Sequence, residues 1–134
     1  MGNHSPAGDP ALRLHPIDQV DHIMFVEVEG ELCGGASHRW SGLLRGVVQR
    51  RAEGIAIDLR GCRELDEHCL GVLLAAAEAM KARGGSGVAL VMLPGSELGT
   101  RLRRLAGERL PIYDSAKAAL VGLGGPRMPV PATV

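Results

Sequence analysis

Aromatic residues are nearly missing from this chain. Phe25, Trp40 and Tyr113 are the only ones, 2% of 134 residues. That excludes a stacking platform of the kind that holds single-stranded nucleic acid. It also obliges the core to be built from Val, Leu, Ile, Ala and Met. Net charge is missing too, since 15 Lys and Arg balance 15 Asp and Glu. General nucleic-acid and acidic-membrane binders carry a basic excess, so neither class fits. No long apolar run is present. The longest, Leu70 to Ala77, falls well short of the roughly 20 residues that span a bilayer, so no membrane insertion is expected. The opening Met1-Gly2-Asn3-His4-Ser5-Pro6 lacks the basic and apolar segments of a secretory leader. Cysteine is sparse and odd in number: Cys33, Cys62 and Cys69. Together these features imply reduced thiols and a cytoplasmic setting.

What is present is ordinary for one globular domain, with 46% hydrophobic and 22% charged residues. The abundance of Ala, Gly and Arg suggests a GC-rich bacterial genome. Residues 1–10 carry Gly, Asn, Ser and Pro without periodicity and are expected to form a flexible arm. Residues 125–134 hold three prolines and are expected to form a disordered tail. The span 11–124 is left as the domain.

Within it, Ala11–Ile17 and His22–Leu32 alternate as strands around a turn at Asp18–Asp21. Gly34-Gly35 breaks the second strand. Trp40, Leu43, Leu44, Val47 and Val48 then fall on one stripe, which predicts a helix over Ser37–Ala52. Ile55–Leu59 is a nearly continuous apolar strand, the pattern of a strand covered on both faces. Leu70, Leu73, Leu74, Ala77 and Met80 predict a helix over Glu67–Arg83. A strand follows at Val88–Leu93, then a short helix after Ser96 with Leu98, Leu102 and Leu105. Leu110–Tyr113 predicts a last strand, and Asp114-Ser115 caps a last helix. Alternating strands and helices with right-handed crossovers give a mostly parallel sheet. The expected fold is an α/β sandwich with a mixed sheet, one antiparallel edge strand and about four helices.

Parallel strands bring their C-terminal ends to one sheet edge, where ligands and partners bind. Two segments go there: Gly30-Glu31-Leu32-Cys33, and Arg60 to Cys69. The second combines a strand ending Asp58-Leu59-Arg60-Gly61 with a helix opening Asp66-Glu67-His68-Cys69-Leu70-Gly71-Val72-Leu73. This strand, turn and helix start resemble the signature of the STAS domain, the anti-sigma factor antagonist family. The resemblance covers roughly residues 11–123. In that family the turn reads Asp-Ser-Ser-Gly-Leu-Gly, and a partner kinase phosphorylates the second Ser. The resemblance places Glu67, His68 and Cys69 at the Ser, Ser and Gly positions. It also places Cys33 where the family often has Asp, in Gly-Glu-Leu-Asp. The frame of a phospho-switch is thus present without its hydroxyl. Two substitutes suggest themselves: a fixed charge on Glu67, or phosphorylation of His68 itself.

Read by themselves, the residues allow plainer roles. Asp66 is the expected N-cap of the second main helix. Cys69 lies in a first helical turn, where the dipole favours thiolate. Cys62 is expected in the loop before it, so Cys33, Cys62 and Cys69 are candidates for a redox switch. Their spacing with His68 matches no common zinc pattern, so no metal is expected. Gly84-Gly85-Ser86-Gly87 follows a helix and precedes a strand, the reverse of a phosphate loop. Arg101, Arg103 and Arg104 are expected on a solvated helix face. Nothing supplies an oriented base for catalysis, and no cofactor is implied.

The expectation is a non-enzymatic module that binds a partner protein through Cys33, Asp66, Glu67, His68, Cys69 and Leu70. The resemblance implies that the partner is an anti-sigma factor or a related kinase-fold regulator. The alternatives are a redox-responsive module, or a nucleotide-binding, lipid-binding or transporter-associated STAS module. Oligomeric state is not legible in the sequence.

Overall fold

The computed structural model describes residues 11–15, 23–50 and 52–124. The expected arm at 1–10, the turn at 18–21 and the tail at 125–134 lie outside them. The elements run β1 (Ala11–His15), β2 (Ile23–Leu32), α1 (Ala36–Gln49), β3 (Gly54–Leu65) and α2 (Glu67–Ala82). They continue with β4 (Gly87–Val91), α3 (Glu97–Ala106), a 3-10 turn (Gly107–Arg109), β5 (Ile112–Tyr113) and α4 (Ala116–Gly122). Sequence order and sheet order coincide, β1 to β5. Strands β2, β3, β4 and β5 are parallel neighbours, and four helices connect and flank them. β1 lies along the outer side of β2 in antiparallel register, Ala11 opposite Glu29 and His15 opposite Phe25.

Each strand of the middle pair feeds two cores, because successive side chains point to opposite faces. On one face, Ile55, Ile57, Leu59, Val88 and Leu90 meet Trp40, Leu44 and Val47 of α1. The same cluster takes in Leu73 and Met80 of α2 and Leu98 and Leu102 of α3. On the other face, Ile23, Ala56, Ala89 and Val91 cluster with Ala119 and Leu123, from α4 and just beyond it, and Phe25, Tyr113 and Leu120 pack against them. The helices begin where side chains satisfy their free amides. The Ser96 hydroxyl accepts from Gly99 N–H at 3.0 Å for α3, and Ser115 accepts from Ala118 N–H at 3.1 Å for α4. α1 starts instead on backbone bonds from Ala36 and Ser37 to the carbonyls of Cys33 and Gly34.

The Gly-rich segment after α2 is a turn. Glu53 C=O accepts from both Ser86 and Gly87 N–H. A Cβ on Gly85 would come within 2.5 Å of that same oxygen. Only glycine lets the two backbones approach this closely.

Strand β3 departs from expectation. It continues six residues past Leu59, through the polar run Arg60–Glu64, to Leu65. Its strand pairing there, among the described residues, is with β2, because pairing with β4 ends at Asp58 opposite Val91. Two register shifts, between Glu27 and Glu29 and between Gly30 and Glu31, absorb the extra β3 residues. Gly30, at φ +106, supplies a conformation closed to most side chains at the second shift. A one-sided, bulged strand loses the period-two signature, so the pattern conceals it. Where β4 ends, Asp58 is 4% exposed and grips Arg60, two residues on. Arg60 donates to it from the backbone N–H at 3.0 Å, from Nε at 3.0 Å and from Nη2 at 2.7 Å. β5 is also shorter than expected, because Leu110 and Pro111 precede it outside the strand.

Candidate functional site

The C-terminal ends of β2 and β3 leave the sheet side by side, with Leu32 opposite Leu65. Asp66 comes next and donates its N–H to Leu32 C=O at 3.0 Å. Its carboxylate then joins two segments. Oδ1 accepts from Cys69 N–H at 2.8 Å, closing the N-terminus of α2. Oδ2 accepts from Gly34 N–H at 3.2 Å, holding the β2–α1 loop. The expected cap is therefore present and also serves as a tie between loops 32 residues apart. The Cys69 amide is the main cause holding the Asp66 carboxyl below its ordinary value. Partial burial opposes the shift, and the Cys69 thiol, Gly34 N–H and His68 reinforce it.

Two further side chains fasten the turn, and the sequence pattern disclosed neither role. Trp40 of α1 is fully buried and donates Nε1–H to Cys69 C=O at 3.0 Å. Arg101 of α3 donates from Nη2 to Leu65 C=O at 2.7 Å. Trp40 is recognisable as a core residue, but its donor finds its partner 29 positions away. Arg101 was assigned with Arg103 and Arg104 to a solvated face. It is in fact half-buried and turned toward the turn.

The expected docking residues divide by exposure. Glu67 and His68 are exposed, and Cys33 and Asp66 are half-buried. Cys69 is 0% and Leu70 6% exposed, so both belong to the core beneath the turn. An i, i+3, i+4, i+7 stripe starting at Cys69 points inward together with Leu70 and Leu73. These two residues are therefore withdrawn from the contact surface.

The cysteines also depart from expectation. Cys62 lies in β3, buried opposite Gly30, with its thiol directed at Glu64 C=O at 3.3 Å. It does not lie in a loop. Helix polarity does not make Cys69 a thiolate: burial first, then the neighbouring Asp66 carboxylate, push its thiol up to about 12. Burial also raises Cys62. Cys33 is raised by desolvation and by Glu64, Glu31 and Asp66. All three thiols are free. Among the described residues, no group of three or more His, Cys, Asp or Glu is placed to hold a metal ion. No helix among them is long and apolar enough to cross a membrane.

Access should govern thiol chemistry here. With a neutral alkylating reagent on native protein, Cys33 is expected to label first. Cys62 and Cys69 should label only after denaturant is added, as intact mass and peptide mapping would show. Equal labelling rates at Cys33 and Cys69 would contradict the buried turn.

A sequence model of the STAS domain matches residues 16–106. The chain belongs to the STAS domain family. Solved structures of similar fold are known. An anti-sigma factor antagonist from Mycobacterium paratuberculosis superposes with a TM-score of 0.72 at 21% identity, covering 90% of this chain and 99% of that one. Phosphorylated SpoIIAA, a Bacillus cell fate determinant, gives 0.60 at 15% identity, over 81% and 96% of the two chains. A putative anti-sigma factor antagonist from Thermotoga maritima gives 0.63 at 16% identity, over 84% and 94%. At such identities the likeness concerns the fold. No curated protein sequence matches the chain. In this STAS domain the Asp66 turn therefore lies inside the matched span, as do Gly34, Trp40 and Arg101.

Proposed function

We propose that this STAS domain is a non-enzymatic regulatory module of the bacterial cytoplasm that docks a partner protein. The partner class is an anti-sigma factor or a related regulator of kinase-like fold. The reading rests on one observation above all. The Asp66 carboxylate holds Cys69 N–H and Gly34 N–H together, so two loops form one preorganised surface. Exposed Glu67 and His68, half-buried Cys33 and Asp66, and the exposed Gly34-Gly35 backbone make up that surface. Buried Cys69 and Leu70 support it from below. The anti-sigma factor antagonists among its structural relatives favour the same partner class.

Regulation differs from the phospho-serine scheme. Glu67 and His68 stand where the resemblance has the two serines, so no hydroxyl is there to accept phosphate. Docking is then constitutive, with Glu67 supplying fixed charge at the helix start. The redox alternative is disfavoured, since two of the three thiols are buried and desolvation raises all three above their ordinary value.

Calorimetry against the purified anti-sigma factors of the same organism tests this. Wild type is expected to bind at least one of them. His68→Asp, which sets a second carboxylate beside Glu67, should weaken that complex by roughly tenfold or more. If no factor binds wild type, the partner class is wrong. If one binds and His68→Asp leaves affinity intact, the surface is elsewhere.

A further inference from the structure

Beyond Asp58, no strand among the described residues lies beside β3 on its β4 side. Helix α3 comes to that open flank. The helix is seated by Leu98, Leu102 and Ala106, all buried, and started by the Ser96 cap. Arg101 borders this apolar stripe, three positions after Leu98, so its guanidinium reaches the strand end. It donates to Leu65 C=O at 2.7 Å. The peptide group joining Leu65 to Asp66 is consequently gripped at both ends. Its N–H, on Asp66, donates to Leu32 C=O at 3.0 Å. Its C=O, on Leu65, receives Arg101.

A peptide unit is planar, so fixing both polar atoms fixes its orientation. The Asp66 Cα is part of that plane, so the peptide sets where it lies, and its φ of −81 and side-chain torsions then carry the carboxylate to its partners. The carboxylate must meet two amides at once, Cys69 N–H at 2.8 Å and Gly34 N–H at 3.2 Å. Small rotations of the plane would break one or the other.

We propose that Arg101 is the positioning residue of the docking turn: by clamping the Leu65–Asp66 peptide it aims Asp66 at both loops. Through it, α3 controls the shape of a surface that α3 need not touch. The proposal deepens the docking reading, on which its consequence for partner binding rests. Its structural half stands without that reading.

The test uses the full chain, with backbone amides followed by hydrogen exchange and NMR. Arg101→Met keeps the length of the apolar stem and removes the donor. It is expected to speed exchange at Cys69 by roughly tenfold, against unchanged Leu90 in the core strand. The Gly34 amide resonance should move as its carboxylate contact loosens. Arg101→Lys, with a shorter reach and a single point of donation, should restore part of the protection. Arg104→Met, on the exposed face of the same helix, should have no effect. Unchanged Cys69 exchange in Arg101→Met would overturn the proposal. Equal acceleration at Cys69 and Leu90 would also overturn it, by showing general loss of stability. In calorimetry with an anti-sigma factor that binds wild type, Arg101→Met should weaken the complex and Arg104→Met should not. If no anti-sigma factor binds wild type, the docking reading fails while the exchange data still decide the role of Arg101.

Discussion

Trp40→Ala is expected to cost this domain about 3–5 kcal/mol of stability, the range for removing a large buried aromatic side chain. Two losses combine. Trp40 is 0% exposed and joins α1 to the main core, so alanine leaves a cavity that Leu44, Val47 and Leu73 fill only in part. The indole N–H is also a second donor to Cys69 C=O, which lies within α2 and keeps its helical bond when the indole is lost. Trp40→Phe separates the two effects. It retains most of the ring and removes the donor, so about 0.5–1.5 kcal/mol is expected from the lost hydrogen bond. Urea unfolding followed by far-ultraviolet circular dichroism measures both without needing the lost tryptophan signal. Since small domains hold only about 5–15 kcal/mol in total, the alanine variant should be partly unfolded at moderate temperature. A loss below about 1 kcal/mol for alanine would mean that α1 is not docked through this residue.

The second large effect is expected at Asp66. Asp66→Ala removes a helix cap, worth about 0.5–2 kcal/mol. It also frees the Gly34 amide, so the β2–α1 loop loses its link to the turn. The effect depends on pH, and its sign follows from the lowered carboxyl. A carboxylate with a depressed native pKa stabilises the fold fully above its unfolded value, about 3.9. That stabilisation disappears as pH falls through the lower native value. The gap between wild type and Asp66→Ala is therefore expected to be widest near neutrality and to close below about pH 4. Asp58 contributes in the same direction. Burial pushes its carboxyl up, but the hydrogen bonds and charge of Arg60 bring it below the ordinary value. Asp66→Ala should accordingly keep an acid transition, carried by Asp58. Unfolding curves at pH 7, 4 and 3 would show this, and a gap that stays constant across them would refute the role given to the Asp66 charge.

Much of the fold could be read in the chain because its signals are local. The stripe of Trp40, Leu44 and Val47 marks α1, and the apolar run Ile55–Leu59 marks a covered strand. The Asp66 cap is legible because the bond spans three residues. What escaped depends on distance or on asymmetry. The Gly34 tie, the Trp40 donor and the Arg101 clamp each join positions about thirty residues apart, and no periodicity encodes such a meeting. Residues Arg60 to Leu65 hid their strand because one flank is unpaired, so polar residues are tolerated there. That mistake also placed Cys62 in a loop and made it look reactive. Cys69 misled for another reason: helix polarity is a modest influence, and complete burial beside a carboxylate outweighs it.

The unequal covering of the sheet sets where the molecule opens most easily. Three helices press on one face, while a seven-residue helix lies on the other over Ala56, Ala89 and Val91. Among the described residues, the three alanines Ala56, Ala89 and Ala119 pack lightly there, which favours local unfolding on that side. Trp40, Asp66 and Arg101 have no part in it. That side can thus breathe, or be reshaped by mutation, while the turn holds still, whereas strain entering α1 or α3 reaches Asp66 through its neighbours Cys69 and Leu65.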